Sequence, residues 1–234
     1  MMTRYPHETR ILVATDCIIF GFDGEELKLL IIKRNFEPEV GKWSLMGGFL
    51  HENEDLEVGA KRILYDLTGL SNIYVEQLGA FGKVDRDPVE RTLSVAFFAL
   101  INIHDHDQDS VRSHHANWIS LKNKPALIFD HDEMVALALD HLRYNAAMHP
   151  IGFELLPEEF TIPQLQKLYE AIYDMQLDRR NFSRKILSTG LLIDTGGKNE
   201  NSTTKKAVLY RLDKEKYQKK FYAFWNFMPN QHSH

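Results

Sequence analysis

A single cysteine, Cys17, is all the thiol chemistry this 234-residue chain carries. One thiol excludes an intramolecular disulfide and a cysteine-based zinc framework. Its neighbours Val13, Ala14, Ile18 and Ile19 point to a buried strand position. No apolar run reaches the roughly 18 residues that suggest a bilayer span, so no membrane partner is expected. The opening MMTRYPHETR is followed by no apolar stretch of the kind a secretory signal needs. These absences together make the cytoplasm the expected location. Internal repeats and extended low-complexity tracts are also missing. A large excess of one charge is missing too: the formal net is −5.

The charge that is present is unevenly placed. Met1 to Glu154 holds 15 Lys and Arg against 24 Asp and Glu, a net of −9. Leu155 to His234 holds 13 against 9, a net of +4. Such an asymmetry raises the prospect of nucleic-acid binding by the basic part. At about 150 residues per domain, the length allows one large domain or two smaller ones.

Strand-like and helix-like patterns alternate through the first part of the chain. Ile11–Phe22 and Leu27–Arg34 read as a hairpin around an Asp23-Gly24 turn. Trp43–Leu45 leads into what reads as a Gly47-Gly48 loop. A helix is expected from Asn53 or Glu54 to Thr68, stopped by Gly69 in a left-handed C′ position. Val75–Lys83, Thr92–Ile103 and Trp118–Leu121 read as further strands. His104–His115 reads as a polar loop. Asp130 is expected to cap a helix carrying Met134, Leu137, Ala138 and Leu142 at helical spacing.

Met148-His149-Pro150-Ile151-Gly152 should end that helix, which sets the expected domains at 1–152 and 153–234. Thr161 then offers an N-cap, with Pro163 in the first turn. Ile162, Leu165, Leu168, Tyr169, Ile172 and Met175 form one apolar stripe. A short basic helix after Asp178 would bury Phe182 and Ile186. Leu191–Asp194 and Ala207–Leu212 read as strands flanking the polar loop GGKNENSTTKK. Helix, basic helix and a hairpin with a basic tip is the order of a winged helix-turn-helix.

Residues 47 to 70, GGFLHENEDLEVGAKRILYDLTGL, carry the most specific motif. Their spacing resembles the Nudix box, G-x5-E-x7-R-E-U-x-E-E-x-G-U, where U is a bulky aliphatic residue. Gly48, Glu54, Arg62, Leu64, Gly69 and Leu70 match it. The three positions that hold metal-binding glutamates in that family are Ile63, Asp66 and Leu67 here. Positions i, i+3 and i+4 share one helix face, so that face should be largely apolar. Magnesium held there would polarise a diphosphate and activate water, and this face lacks the groups to hold it. No catalytic residue, metal or cofactor is therefore expected. One or two carboxylates can still suffice for magnesium, and Asp66 with Glu57 or Asp85 would be such a combination.

Taken whole, the chain resembles the Nudix-related bacterial transcriptional regulators. The resemblance rests on Leu29–Pro38, Gly41–Leu50, Phe81–Pro88, Arg91–Ile101, Phe129–Met134 and, above all, the joining segment FELLPEEFTIPQLQKLYEAI (Phe153–Ile172). It implies an α/β fold, a Nudix-like αβα sandwich followed by a winged helix-turn-helix. It also implies a homodimer, an effector bound in the first domain, and operator DNA bound by the second. The family includes sugar regulators, some arabinose-responsive, and ADP-ribose-sensing regulators of NAD metabolism. The reduced box points to the sugar branch, with L-arabinose as the type of effector. The alternatives are ADP-ribose sensing, a divergent pyrophosphohydrolase, or a non-catalytic protein-interaction module.

Candidate sites follow from both readings. Arg179, Arg180, Asn181, Ser183, Arg184 and Lys185 lie on the basic helix. In a helix-turn-helix the second helix puts its N-terminal residues near base edges. Lys198, Lys205 and Lys206 on the hairpin would hold phosphates without choosing sequence. By resemblance, the effector pocket involves Lys33, Arg34, Trp43, Gly48, Phe49, Asp85 and Arg91. The His- and Asp-rich loop, His104–His115, fits no regular ligand spacing and reads as a polar connection. His131 and Asp132 read as helix-start residues. The aromatic run Tyr217, Phe221, Tyr222, Phe224, Trp225 and Phe227 reads as core or subunit interface rather than a nucleic-acid stacking surface.

Overall fold

The computed structural model describes residues 8–106, 108–148, 151–199 and 207–225. Two compact units emerge, Met1–Asp23 with Leu27–Tyr144, and Gly24–Glu26 with Asn145–His234. None of the described helices is long and apolar enough to cross a membrane.

The first unit is organised around β1 (Leu12–Phe22). Its second half pairs antiparallel with β2 (Leu27–Lys33) and its first half with β4 (Met46–Phe49). Its other edge runs parallel to β6 (Thr92–Asn102), from Leu12↔Thr92 to Phe22↔Asn102. Three short strands complete the sheet: β3 (Trp43–Ser44) and β7 (Ala116–Ser120) on β2, and β5 (Glu76–Phe81) on β6. A strand shared among three partners must be apolar on both faces. Accordingly Cys17, Ile18, Ile19 and Phe20 are all fully buried.

Alternation sends these side chains to two layers. Cys17 and Ile19 join Leu30, Ile32, Met46, Val95 and Phe97 under α1 (Leu56–Thr68) and α2 (Gln108–Ser113), which contribute Ala60, Leu64 and Val111. On the other face lies α3 (His131–Met148), where His141 meets Phe98 of β6 edge-on at 5.1 Å. Met134, Ala138 and Leu142 of α3 are fully buried, and Leu137 is exposed. The expected αβα sandwich is thus present, with helices on both faces of a mixed sheet.

Three local expectations change. Gly47 and Gly48 are not a loop; they lie in β4, opposite Asp16 and Thr15. The box helix starts later, at Leu56, because Glu54 is engaged in holding the turn before it. The polar segment after β6 is not all loop: it holds a 3-10 turn, Ile103–Asp105, and α2.

In the second unit, α4 (Ile162–Tyr173) begins with a capping box. Thr161 Oγ1 accepts from Gln164 N–H, and Gln164 Oε1 accepts from Thr161 N–H at 2.8 Å. Reciprocal caps of this kind satisfy two otherwise orphaned donors. The stripe expected from sequence is buried from Ile162 to Ile172, but Met175 is exposed. Asp174 adopts a left-handed conformation that ends α4. The turn that follows is pinned by Glu170, which accepts from Leu177 N–H at 2.9 Å and from Gln166. Asp178 then caps α5 (Arg179–Ser188) by accepting from Asn181 N–H at 2.8 Å. Ile186 of α5 is buried, and Phe182 meets the ring of Tyr169 at 5.4 Å.

The hairpin β8 (Leu192–Asn199) and β9 (Ala207–Leu212) closes the unit. Phe160 and Tyr210 exchange both backbone hydrogen bonds, which ties β9 to the start of α4. A final helix, α6 (Lys214–Trp225), covers most of the aromatic run, and Tyr217 packs edge-on against Phe153. Phe227 lies outside the described residues, as do Lys205 and Lys206.

Candidate functional site

The box keeps its mechanical parts. Arg62 donates to both oxygens of Glu54, through Nε at 2.9 Å and Nη2 at 2.5 Å. Its Nη2 also reaches the Phe49 carbonyl at 3.0 Å. Glu54 in turn accepts from His51 N–H at 2.7 Å. These bonds hold the Glu54 carboxyl far below its ordinary value, at about 2, with Arg62 the largest cause and the His51 amide next. The connection from β4 to α1 is therefore fixed without any metal.

The chemical parts of the box are different. Ile63 is buried, and a Cβ on Gly48 would sit 3.1 Å from its side chain. Leu67 packs against the core cluster. Asp66 has Arg62 Nη1 at 3.7 Å, and Glu57 is paired with Lys61 at 2.6 Å. No group of three His, Cys, Asp or Glu side chains able to hold a metal ion occurs among the described residues. An aliphatic pair with one arginine-facing aspartate leaves this face a single carboxylate, already facing a cationic side chain.

Beneath β4 lies a polar cluster that sequence motifs do not announce. Arg86, from the β5–β6 connection, donates to both oxygens of Asp130, through Nε at 2.9 Å and Nη2 at 2.7 Å. Asp130 reads in sequence as the cap of α3; its carboxylate is instead committed to this arginine. Asp16 lies 3.6 Å from Arg86 Nη2, and Ser94 Oγ donates to it at 2.5 Å. His131 completes the group. Its Nδ1 accepts from Leu45 N–H at 3.2 Å, and its Nε2 is 3.5 Å from Asp16 Oδ1. An acceptor Nδ1 leaves the proton of a neutral ring on Nε2, facing Asp16. Burial lowers the pKa of His131, opposed by Asp16 and Asp130.

With His131 neutral, two aspartates and one arginine leave one negative charge in the interior. Half-buried Arg34 is electrostatically coupled to Asp16. Burial lowers its pKa, and Asp16, then Asp87, act against that shift. His131 and Asp130 could be found in sequence only as a helix start; their partners lie far along the chain.

Six of the seven effector candidates form two groups, with Asp85 apart. Gly48 and Phe49 sit in β4 opposite Thr15 and Ala14, and the Arg91 carbonyl accepts from Leu12 N–H at the same end of β1. Arg91 Nη1 is bonded to the Lys83 carbonyl at 3.0 Å. Lys33 and Trp43 are cross-strand partners, with the ammonium 6.0 Å from the indole. Arg34 follows them and stacks on Phe36 at 4.1 Å. Phe36 is exposed, two residues after Arg34. Asp85 is exposed on the β5–β6 connection.

Helix α5 sorts the DNA candidates by face. Arg180, Asn181 and Arg184 are exposed and share, at i+3 and i+4 spacing, the side away from Phe182 and Ile186. Lys185 is exposed on a flank. Arg179 is exposed at the first turn but lies on the Phe182 side, and Ser183 is half-buried. Lys198 falls in β8, opposite Val208, just past a bulge that begins after Asp194.

Comparison with known proteins places both units. Residues 152–212 match the NrtR DNA-binding winged helix domain, and residues 10–137 match the NUDIX domain. The chain is 31% identical over 210 residues to the ADPR responsive transcriptional repressor NtrR of Acinetobacter baylyi, covering 88% of this chain and 84% of that protein. Among solved structures it is similar to Shewanella oneidensis NrtR complexed with a 27mer DNA, with a TM-score of 0.77 and 29% identity. That match covers 88% of this chain and 95% of the other. It is also similar to the NUDIX domain of the Shewanella protein complexed with ADP ribose, with a TM-score of 0.53 and 28% identity. There the match covers 60% of this chain and 94% of that one.

Proposed function

This chain belongs to the NrtR-like family of Nudix-related, winged-helix transcriptional regulators, and we propose that ADP-ribose is the effector that sets its affinity for operator DNA. The observation that carries the reading is the match over most of both chains to an ADPR responsive repressor. It is joined by the likeness of the first unit to a domain complexed with ADP ribose.

The sugar effector expected from the reduced box gives way for a physical reason. Without metal, carboxylates on α1 would repel a diphosphate, by about 1 kcal/mol per pair at 4 Å in water and about 4 kcal/mol where the effective dielectric is near 20. Ile63 and Leu67 remove that repulsion. Lost glutamates thus disfavour cleavage while favouring metal-free binding of the same ligand. Lys33, Arg34 and Arg91 supply cations for the diphosphate, and Trp43 and Phe36 supply faces for the adenine. Gly48 and Phe49 offer strand backbone, and Asp85 a hydroxyl partner for a ribose.

On the output side, Arg180, Asn181 and Arg184 face the major groove, with Arg179, Ser183 and Lys185 beside them. Lys198, Lys205 and Lys206 take phosphates from the wing. The working form is a homodimer, whose symmetry would match two half-sites about one helical turn apart. Coupling requires that ADP-ribose bind the free and DNA-bound forms with different affinity.

The test is fluorescence anisotropy on a labelled upstream duplex, with a parallel thermal-shift titration. ADP-ribose should shift both DNA affinity and melting temperature, equally well in EDTA and in magnesium. L-arabinose should do neither. A response to arabinose alone, or release of AMP and ribose phosphate in magnesium, overturns the proposal.

A further inference from the structure

Within the DNA-facing surface, Asn181 and Arg184 are not independent. Arg184 Nη2 donates to Asn181 Oδ1 at 2.8 Å. The orientation of the amide follows from chemistry, since a guanidinium has donors only and must meet the oxygen. Asn181 is itself held, because its backbone N–H is the one that Asp178 caps. A chain of two hydrogen bonds therefore runs from the helix start to the exposed guanidinium. Both residues lie on the face turned away from Phe182 and Ile186.

We infer that Asn181 is a positioning residue for Arg184, and that the pair together specifies one guanine rather than two separate bases. This rests on the operator-DNA reading above. Arg184 spends one of its five N–H donors on Asn181 and keeps the others for guanine O6 and N7. A long side chain fixed before binding loses less freedom when it docks. Holding the fork in place also discriminates against bases that would need another orientation. Asn181 in this role supports the contact and reads no base of its own.

The test uses the full chain and a duplex library with a randomised core. Bound sequences are selected with the wild type, Asn181→Ala, Arg184→Ala, the double variant and Asn181→Asp. All these side chains are exposed, so folding is checked simply by melting temperature. Both alanine variants should relax the same base pair, losing roughly ten- to a hundred-fold of guanine preference. The double variant should relax it no further, as expected for residues acting as a unit. Asn181→Asp still offers an acceptor to Arg184 and should keep the guanine preference, even where the added charge weakens overall affinity.

Relaxation at two different base pairs would show Asn181 reading its own base and overturn the inference. So would an Asn181→Ala selection identical to the wild type. A wild type that selects no sequence at all would instead sink the DNA reading on which the inference rests. The two failures are distinguishable.

Discussion

Arg86 and Asp130, 44 residues apart in the chain, meet in a two-bonded ion pair whose side chains are almost wholly removed from water. Breaking such a pair from one side leaves a buried charge without its partner. Arg86→Met should destabilise the first unit by about 3–5 kcal/mol. Asp130→Leu should cost less, because Asp16 still faces Arg86 at 3.6 Å, and the double variant should cost less than the two single ones added together. Urea unfolding followed by Trp43 and Trp118 fluorescence measures all three. Additive losses would mean that the pair is not the coupling unit.

His131 should give the same unit a dependence on pH. Its folded pKa lies below the ordinary value of about 6.5, first because of burial. As pH falls below about 6.5, the unfolded chain takes up the proton before the folded one does. The His131 contribution is therefore fully present above that value and is lost as pH falls through the folded pKa. An asparagine side chain at this position would keep an oxygen acceptor for Leu45 N–H with no titration in this range. In His131→Asn the slope of melting temperature between pH 7.5 and 5.5 should therefore flatten. An unchanged slope would place the pH dependence elsewhere.

Gly47 should tolerate no side chain. A Cβ there would fall 2.0 Å from Asp16 Oδ1, whereas one on Gly48 would meet the Ile63 side chain at the longer distance of 3.1 Å. Overpacking of this kind costs about 1–3 kcal/mol or more. Gly47→Ala should lower the melting temperature much more than Gly48→Ala. Ile63→Val should relieve the second substitution and not the first. Equal effects at the two glycines would show that Asp16 can move aside.

These residues also show where a sequence can be read and where it cannot. The elements of the winged unit are legible because their signals are local: Thr161 with Gln164, Pro163 in the first turn, Asp178 with Asn181. Gly47-Gly48 misleads because paired glycines most often mark a loop. Here at least one of them answers to a carboxylate on the neighbouring strand. Asp130 and His131 do stand at a helix start, as the sequence suggests. A helix start explains them locally, but what they bind is Arg86 and Leu45, which only the folded sheet brings near. The three lost box positions are weak evidence against a diphosphate effector. They speak only to how a diphosphate would be cleaved.

The Glu54–Arg62 contact carries one more consequence. It binds the β4–α1 connection through Phe49 and His51 using protein groups alone. The signature motif is thus two inventories laid over one stretch of chain, a latch and a reaction centre. Each can be kept or discarded without the other. Two proteins can share every latch residue and still differ in whether they consume what they hold, so the sorting question for any chain with this motif is what stands where Ile63, Asp66 and Leu67 stand here.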